Sequence, residues 1–205
     1  MKLVYYPDPI LGKGLKDFDF EEVKQIFADA ADLKDQMVDV MVKHKGIGLS
    51  ACQVGLDYRC FVMGESKETA IMVINPEIVA FGEETECEPE GCLSFPDMYL
   101  KVTRPTTVTA KWLDEQGQEQ GGTLEGYGAR CFMHEFDHLN GVVYKEKVSR
   151  LKWDRALKKK NKITKQRNQI MQAMRRMEEF EKNRTLDPAE EIDKKKASTT
   201  LNLGD

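Results

Sequence analysis

The segment His134-Glu135-Phe136-Asp137-His138 constrains the fold most strongly, because its two histidines can share one ion if the segment is helical. Residues four positions apart lie on one face of an α-helix, so both imidazole rings can reach the same metal. Glu135 is then placed to reach a water on that ion without being a ligand. The spacing is typical of metal hydrolases, although two core histidines satisfied by hydrogen bonds would give the same pattern. The segment therefore predicts a helix and a metal site.

A catalytic metal of this type normally has a third protein ligand. No histidine follows His138, and the acidic residues downstream lie in a basic segment or in the tail. Upstream, the thiolate of Cys92 would complete a Cys-His-His set. Cys87 offers the same chemistry, and a small buried hydrophobic residue is the commonest role of a free cysteine. The spacing alone leaves the third ligand open between Cys92 and Cys87.

The apolar periodicity predicts an α+β fold, because helices and strands do not alternate along the chain. Apolar residues at spacings of three and four predict one long helix from about residue 20 to residue 44. The further predicted elements are strands at 59–63, 71–74 and 77–81, a hairpin arm at 102–113, and helices at 129–139 and 151–181.

The net charge of −4 over 205 residues hides a strong asymmetry. Residues 1–149 carry a net charge of −11, residues 150–176 carry +10, and residues 177–205 carry −3. A dense basic segment is a candidate nucleic-acid contact, because Lys and Arg neutralise phosphates; a solvated helix face is the common alternative. We expect a catalytic domain over 1–149, a basic helical extension over 150–185 and a disordered tail over 186–205.

The composition also bears on where the protein resides. No apolar run approaches the ~20 residues that a membrane-spanning helix needs, and the first residues lack the apolar stretch of a signal peptide. The five cysteines are odd in number and irregularly spaced, which fits a reducing compartment. We expect a soluble protein of the cytoplasm, either of a bacterium or of an infected host cell, with an organelle as a further alternative.

Three segments together resemble the peptide deformylase family. They are, in the family's order, Gly46-Ile47-Gly48-Leu49-Ser50-Ala51-Cys52-Gln53, then Glu90-Gly91-Cys92-Leu93-Ser94, then the histidine segment. The resemblance extends over about residues 1–150. It implies small antiparallel or mixed β-sheets packed around a central helix that carries the histidine pair, with a long N-terminal helix and a basic C-terminal helix.

The resemblance implies a hydrolase that removes the formyl group from the N-terminal methionine of newly synthesised proteins and releases formate. Cys92, His134 and His138 would hold one divalent metal ion, which decides the third ligand in favour of Cys92. Fe²⁺ is the native ion by resemblance, and Zn²⁺, Ni²⁺ or Co²⁺ also suit such donors.

The family's acid–base and supporting residues also have counterparts here. Glu135 would take a proton from the attacking water and deliver it to the leaving amine. The side-chain amide of Gln53 and the N–H of Leu93 would stabilise the negative charge on the formyl oxygen. Glu90 and Arg104 match an ion pair that holds the cysteine-bearing loop, a pair that matters only if it is partly buried.

Substrate binding is implied at further positions. Ile47, Gly48 and Gly91 correspond to residues that bind the peptide main chain like an added strand. Cys131 falls where the family lines its methionine pocket, and ordinary core packing is equally compatible with that position. Asp137 lies one helical step off the face of the histidines, which favours a supporting role.

Two residues depart from the family's pattern. Ser50 stands where alanine is usual, and its hydroxyl needs a carbonyl partner if it is buried. Met133 stands where glutamine is common, so we expect a hydrogen bond near the metal helix to be altered from that of the family. Neither departure touches a ligand or Glu135, so we expect activity to survive.

Three other functions remain open from the sequence. One is a zinc peptidase that uses His134, Glu135 and His138. Another is an inactive fold that serves as a ribosome- or RNA-binding adaptor through residues 150–176. The third is a deformylase relative with a shifted substrate preference. By resemblance, the basic segment of an active deformylase would contact the ribosome near its exit tunnel.

Overall fold

The computed structural model describes residues 1–184, and the predicted tail over 186–205 lies outside the described residues. The helices are α1 (Phe20–Val23), α2 (Ala30–Lys43), α3 (Gly126–Leu139) and α4 (Arg150–Arg184). The strands are β1 (Gly48–Ser50), β2 (Cys60–Met63), β3 (Ile71–Phe81), β4 (Thr85–Gly91), β5 (Tyr99–Pro105), β6 (Thr107–Leu113) and β7 (Glu119–Glu125). Single turns of 3₁₀ helix cover Pro9–Gly12, Ala51–Val54 and Tyr144–Lys147.

The strands form two antiparallel sheets, which confirms the α+β class. The larger sheet has the order β1-β2-β3-β6-β7, and β4 pairs with β5 in the smaller one. The short strand β1 lies at one edge of the larger sheet, where Gly48 pairs with Met63 and Ser50 pairs with Phe61. In the smaller sheet Glu90 pairs with Leu100.

Helix α3 packs against strands of both sheets. Phe132 on its apolar face meets Phe61 of β2 edge to face, with 5.2 Å between ring centroids. At the C-terminal end of the helix, the Asn140 side chain donates a hydrogen bond to the Phe136 carbonyl at 2.9 Å. These contacts hold α3 against the strands, and its buried residues include His134, Glu135 and His138.

The chain divides into two compact units, Met1–Leu157 and a second that begins at Lys158. The first unit contains both sheets and α1 to α3. The first turns of α4 also belong to it, and Trp153 packs edge to face against Phe95 at 6.0 Å. Within residues 1–184, no helix combines the length and the apolar character that crossing a bilayer requires.

The single helix predicted over residues 20–44 is wrong, because a capping turn separates α1 from α2. The Asp29 carboxylate accepts a hydrogen bond from the Asp32 N–H at 2.8 Å and starts α2 as its N-cap. Asp32 in turn accepts from the Ala28 N–H at 3.2 Å. Ile26, predicted on the buried face, is 62% exposed. These local side-chain bonds satisfy the free N–H groups of a helix end, so the helix restarts there.

Two strand predictions also need correction. The runs predicted at 71–74 and 77–81 form one strand, β3, with one register shift between Ile74 and Glu77, across Pro76, and a second between Ile78 and Ala80. Asn75 adopts a φ of 47° and its side chain bonds both the N–H and the carbonyl of Phe18, which holds the irregularity in place. The arm predicted over 102–113 is divided between β5 and β6, which belong to different sheets.

Candidate metal centre and active site

The side chains of Cys92, His134 and His138 converge in the folded chain. Cys92 directly follows β4, whereas both histidines lie on α3. Their ligand atoms lie within 4.8 Å of one another, and the Cys92 Sγ is 3.3 Å from the His138 Nε2. Among residues 1–184 no other group of three His, Cys, Asp or Glu side chains could hold a metal ion. Cys87, the alternative thiol, is exposed on β4 and lies outside this group.

The donor set fits a divalent transition metal, because a thiolate and two imidazoles are ligands that Zn²⁺ and Fe²⁺ accept. The Nδ1 of His134 lies 3.0 Å from the Glu90 carboxylate, which fixes the orientation of the ring. Burial lowers the pKa of His134, but hydrogen bonds with Cys92 and Glu90 outweigh this effect and raise it to about 10. The anionic groups beside His134, Cys92 and Glu90, favour a positive charge at this position, which a bound metal ion would supply.

Glu90 is the centre of a buried ion-pair network. Its carboxylate accepts two hydrogen bonds from Arg104, at 2.6 and 2.9 Å, and one from Arg130 at 2.7 Å. Burial raises the pKa of Glu90, but its bonds with His134 and Arg104 outweigh this and lower it to about 2. Arg104 also donates to Asp137 at 2.8 Å. The Glu90–Arg104 pair predicted from the sequence is present and buried, so removing one partner would leave a poorly compensated buried charge and cost more than at a surface pair.

Arg130 belongs to this network, although the sequence analysis did not single it out. Its guanidinium also donates to the carbonyls of Val102 and Glu86, each at 2.9 Å. It lies four residues before His134 on α3, on the same face of the helix, and that spacing is the signal that could have indicated it.

Glu135 lies on the buried face of α3 and is 4% exposed. The Ser50 hydroxyl, at the end of β1, lies 2.7 Å from the Glu135 Oε2 and 3.1 Å from the Glu135 carbonyl oxygen. Ser50 thus finds the carbonyl partner it was expected to need, and a carboxylate as well. Burial raises the pKa of Glu135, while positive charge at His134 and the bond from Ser50 oppose the rise. A carboxyl with a raised pKa is suited to proton transfer.

Gln53 is held in one orientation by its neighbours. Its side-chain Oε1 accepts a hydrogen bond from the Ser50 N–H at 2.8 Å. The Nε2 donors therefore point the other way, towards the Cys92 Sγ at 3.4 Å and the Ser94 hydroxyl at 3.3 Å. An amide donor therefore lies beside Cys92, one of the three candidate metal ligands.

A cavity of about 480 Å³ opens onto Cys92, His134 and Glu135. Its lining includes eight predicted site residues: Ile47, Gly48, Glu90, Gly91, Cys92, Leu93, His134 and Glu135. Cys131 also lines it, and its thiol donates to the Ile47 carbonyl at 3.4 Å. Three exposed aromatic residues that belong to no predicted site motif, Tyr5, Tyr99 and Tyr127, also line it. Met133 is buried in the core beside the site.

Glycine at position 48 is required by the close approach of Glu135. A Cβ on Gly48 would lie 2.5 Å from the Glu135 Oε1 and 2.9 Å from the Cys131 Sγ. No larger residue can be placed there without moving the carboxylate. The backbone of β1 and the side chain of Glu135 are therefore in direct contact at the wall of the cavity.

Comparison with known proteins agrees with this geometry. The family model for polypeptide deformylase matches residues 1–154. The peptide deformylase of Rhizobium meliloti is 38% identical over 169 residues, which cover 80% of this chain and 94% of that protein. That of Mesorhizobium japonicum is 40% identical over 167 residues, 80% of this chain and 92% of that protein.

Solved structures of peptide deformylases are also similar to this chain. A peptide deformylase from Legionella pneumophila superposes with a TM-score of 0.72 at 35% identity, over 82% of this chain and 96% of that one. One from Synechococcus elongatus, in complex with actinonin, gives 0.69 at 36% identity, over 78% and 85% of the two chains. The chain belongs to the polypeptide deformylase family.

Proposed function

We propose that this chain is a metal-dependent hydrolase that removes the formyl group from the N-terminal methionine of nascent peptides and releases formate. The observation that carries the proposal is the Cys92–His134–His138 group, with Glu135 beside it at the wall of one cavity. Family membership identifies the reaction, and the arrangement of this chain's residues suggests how it is performed.

Cys92, His134 and His138 would hold the metal. When bound, a divalent cation supplies Lewis acidity, which polarises the formyl carbonyl and makes water a nucleophile near neutral pH. Glu90 supports the site by orienting His134 at 3.0 Å, and Arg104 compensates the charge of Glu90. By resemblance the ion is Fe²⁺, with Zn²⁺, Ni²⁺ or Co²⁺ as alternatives. Metal analysis of protein purified without oxygen tests this assignment, because Fe²⁺ is lost to oxidation in air and Zn²⁺ and Ni²⁺ are not.

Glu135 would carry the proton from the attacking water to the amine that leaves. Hydrolysis places negative charge on the formyl oxygen, and the Nε2 of Gln53 and the N–H of Leu93 would donate hydrogen bonds to it. The amide of Gln53 suits this role because its Oε1 is already occupied by the Ser50 N–H. Its donors are therefore oriented before the substrate arrives.

The substrate would bind as an extra strand beside β1. β1 is an edge strand of the larger sheet, and Ile47 and Gly48 lie at the wall of the cavity. Main-chain hydrogen bonds to Ile47, Gly48 and Gly91 would align the peptide with little regard to its sequence. The adjoining cavity, with Cys131 in its wall, would take the methionine side chain.

Formate release from a formyl-Met-Ala tripeptide, with metal-loaded protein, tests the reaction. The Glu135→Gln variant keeps the shape of the side chain but cannot accept the proton, so we expect turnover to be lost with metal content unchanged. Glu119→Gln, an exposed change on β7, is the matched control and should retain turnover. Cleavage of internal peptide bonds instead of formate release would favour a zinc peptidase.

A second role concerns the basic segment. We propose that residues 1–149 form the catalytic domain and that residues 150–185 form a basic extension that binds ribosomal RNA. Exposed lysines on α4, Lys158, Lys159, Lys162 and Lys165, carry this proposal. Neutralising phosphates releases counterions, so binding should weaken steeply with salt. This role would require a compartment that contains ribosomes: the cytoplasm of a bacterium or of an infected host cell, or an organelle.

Ribosome co-sedimentation tests the extension. Changing Lys158, Lys159, Lys162 and Lys165 to Gln should abolish co-sedimentation at low salt while tripeptide deformylation stays unchanged. The Gln variant leaves Trp153 and the core beneath it intact, which a truncation at residue 149 would not. Unchanged co-sedimentation would exclude these lysines as the contact.

A further inference from the structure

The side chain of Ser50 makes a direct contact with the proposed proton carrier. Ser50 is fully buried at the end of β1. Its hydroxyl lies 2.7 Å from the Oε2 of Glu135 and 3.1 Å from the carbonyl oxygen of the same residue. The shorter contact is to the carboxylate, and hydrogen bonds to a charged acceptor are the stronger kind.

The two carboxylate oxygens of Glu135 have different surroundings. Oε2 is directed at the Ser50 hydroxyl, whereas Oε1 lies against Gly48, 2.5 Å from where a Cβ would stand. Gly48 and Glu135 both line the cavity. Oε2 is therefore held by the Ser50 hydroxyl. Oε1 lies beside Gly48, on the part of the same strand that borders the cavity.

No other side chain within residues 1–184 donates a hydrogen bond to this carboxylate. Arg104 is directed instead at Glu90 and Asp137. Rotation of the carboxylate about its terminal bond is a soft torsion, so the contact with Ser50 and the packing against Gly48 are what limit it.

We propose that Ser50 is a positioning residue for Glu135: its hydroxyl holds Oε2, so that Oε1 is the oxygen that exchanges the proton with water and with the leaving amine. Alanine at position 50 has no hydroxyl and could not hold the Oε2 of Glu135 in this way. The inference rests on the proposed role of Glu135 as proton carrier.

The test is the steady-state kinetics of Ser50→Ala with the formyl tripeptide and full metal occupancy. We expect kcat to fall about tenfold, or ~1.4 kcal/mol, with KM changed less than about twofold. An interaction that matters only in the transition state lowers kcat and kcat/KM together. Metal content, measured in parallel, should match that of the wild type.

Cys60→Ala is the matched control, because it also removes one heavy atom from a fully buried side chain near β1. It should lower thermal stability and leave kcat unchanged. If Ser50→Ala likewise affects stability alone, or if its kcat falls only through lost metal, Ser50 is a packing residue and the proposal is wrong.

Testing Ser50→Ala in a second variant, Glu135→Asp, separates a positioning effect on Glu135 from other roles of Ser50. Glu135→Asp shortens the side chain by one methylene and takes the carboxylate away from the hydroxyl. In that background we expect Ser50→Ala to change kcat less than about twofold, because coupled residues are not additive. A loss that is still about tenfold would show that Ser50 acts through another group and would overturn the proposal. Absence of formate release by metal-loaded wild type would instead refute the proposed function itself.

Discussion

Replacing Arg130 by Met should destabilise the protein strongly, although Arg130 belongs to none of the sequence motifs. The side chain is buried and donates to the Glu90 carboxylate at 2.7 Å and to the carbonyls of Val102 and Glu86 at 2.9 Å. A hydrogen bond to a charged group contributes ~1.5–3 kcal/mol and each bond to a carbonyl about 1 kcal/mol. Apolar packing of the Met side chain recovers part of the stabilisation that these hydrogen bonds provide, and Arg104 still neutralises Glu90. We expect a net loss of about 3 kcal/mol.

Urea unfolding of metal-loaded protein measures this loss. With an m-value of about 2 kcal/mol/M, the midpoint should fall by roughly 1.5 M. Arg130→Lys keeps a charge but not the planar fork that reaches three acceptors, so it should give an intermediate midpoint. Lys111→Met is the control, because Lys111 and its partner Glu77 are both largely exposed and their pair should contribute nothing measurable. A loss below about 1 kcal/mol for Arg130→Met would refute the argument that the buried network stabilises the fold.

Three further predictions follow from the same contacts. Gly48→Ala should lower kcat about a hundredfold, because its Cβ would displace the Glu135 carboxylate; Gly128→Ala, with open space around its Cβ, should leave kcat unchanged. Glu90→Gln should weaken metal binding ~10- to 100-fold in a chelator competition, because a neutral amide orients His134 less strongly; unchanged affinity would exclude that support. Removing the metal with a chelator should lower the melting temperature, and adding it back should restore the original value, since a ligand of the native state stabilises it.

The motif residues could be placed from the sequence because their spacing is local. His134 and His138 share a face for any helix that contains them, and α3 does. The partners that hold them could not be derived in this way. Glu90 lies 44 residues before His134, so no local period connects the two; Arg130 shares a helical face with His134, but that spacing does not predict its contact with Glu90. A buried charge is expected only where a partner exists, and that partner is a property of the tertiary fold.

Errors in the predicted elements have a related cause. Apolar spacing continues through the turn between α1 and α2, but the carboxylates of Asp29 and Asp32 cap the new helix there. Asn75 and Pro76 were expected to end a strand, yet the side chain of Asn75 bonds the backbone of Phe18 and the strand continues. At the helix start, local side-chain bonds override the hydrophobic pattern; at Asn75, a bond to a segment 57 residues away holds an irregular position within a continuous strand.

Ser50 connects two functional groups of the site that the sequence presents as separate. Its backbone N–H holds the Oε1 of Gln53, and its hydroxyl holds the Oε2 of Glu135. The proposed oxyanion donor and the proposed proton carrier are therefore positioned from one residue of an edge strand. A substitution at position 50 that shifts the backbone should disturb both groups, whereas one that removes only the hydroxyl should disturb Glu135 alone. Ser50→Ala is thus the change that separates the two contributions, because alanine keeps the N–H that Gln53 needs.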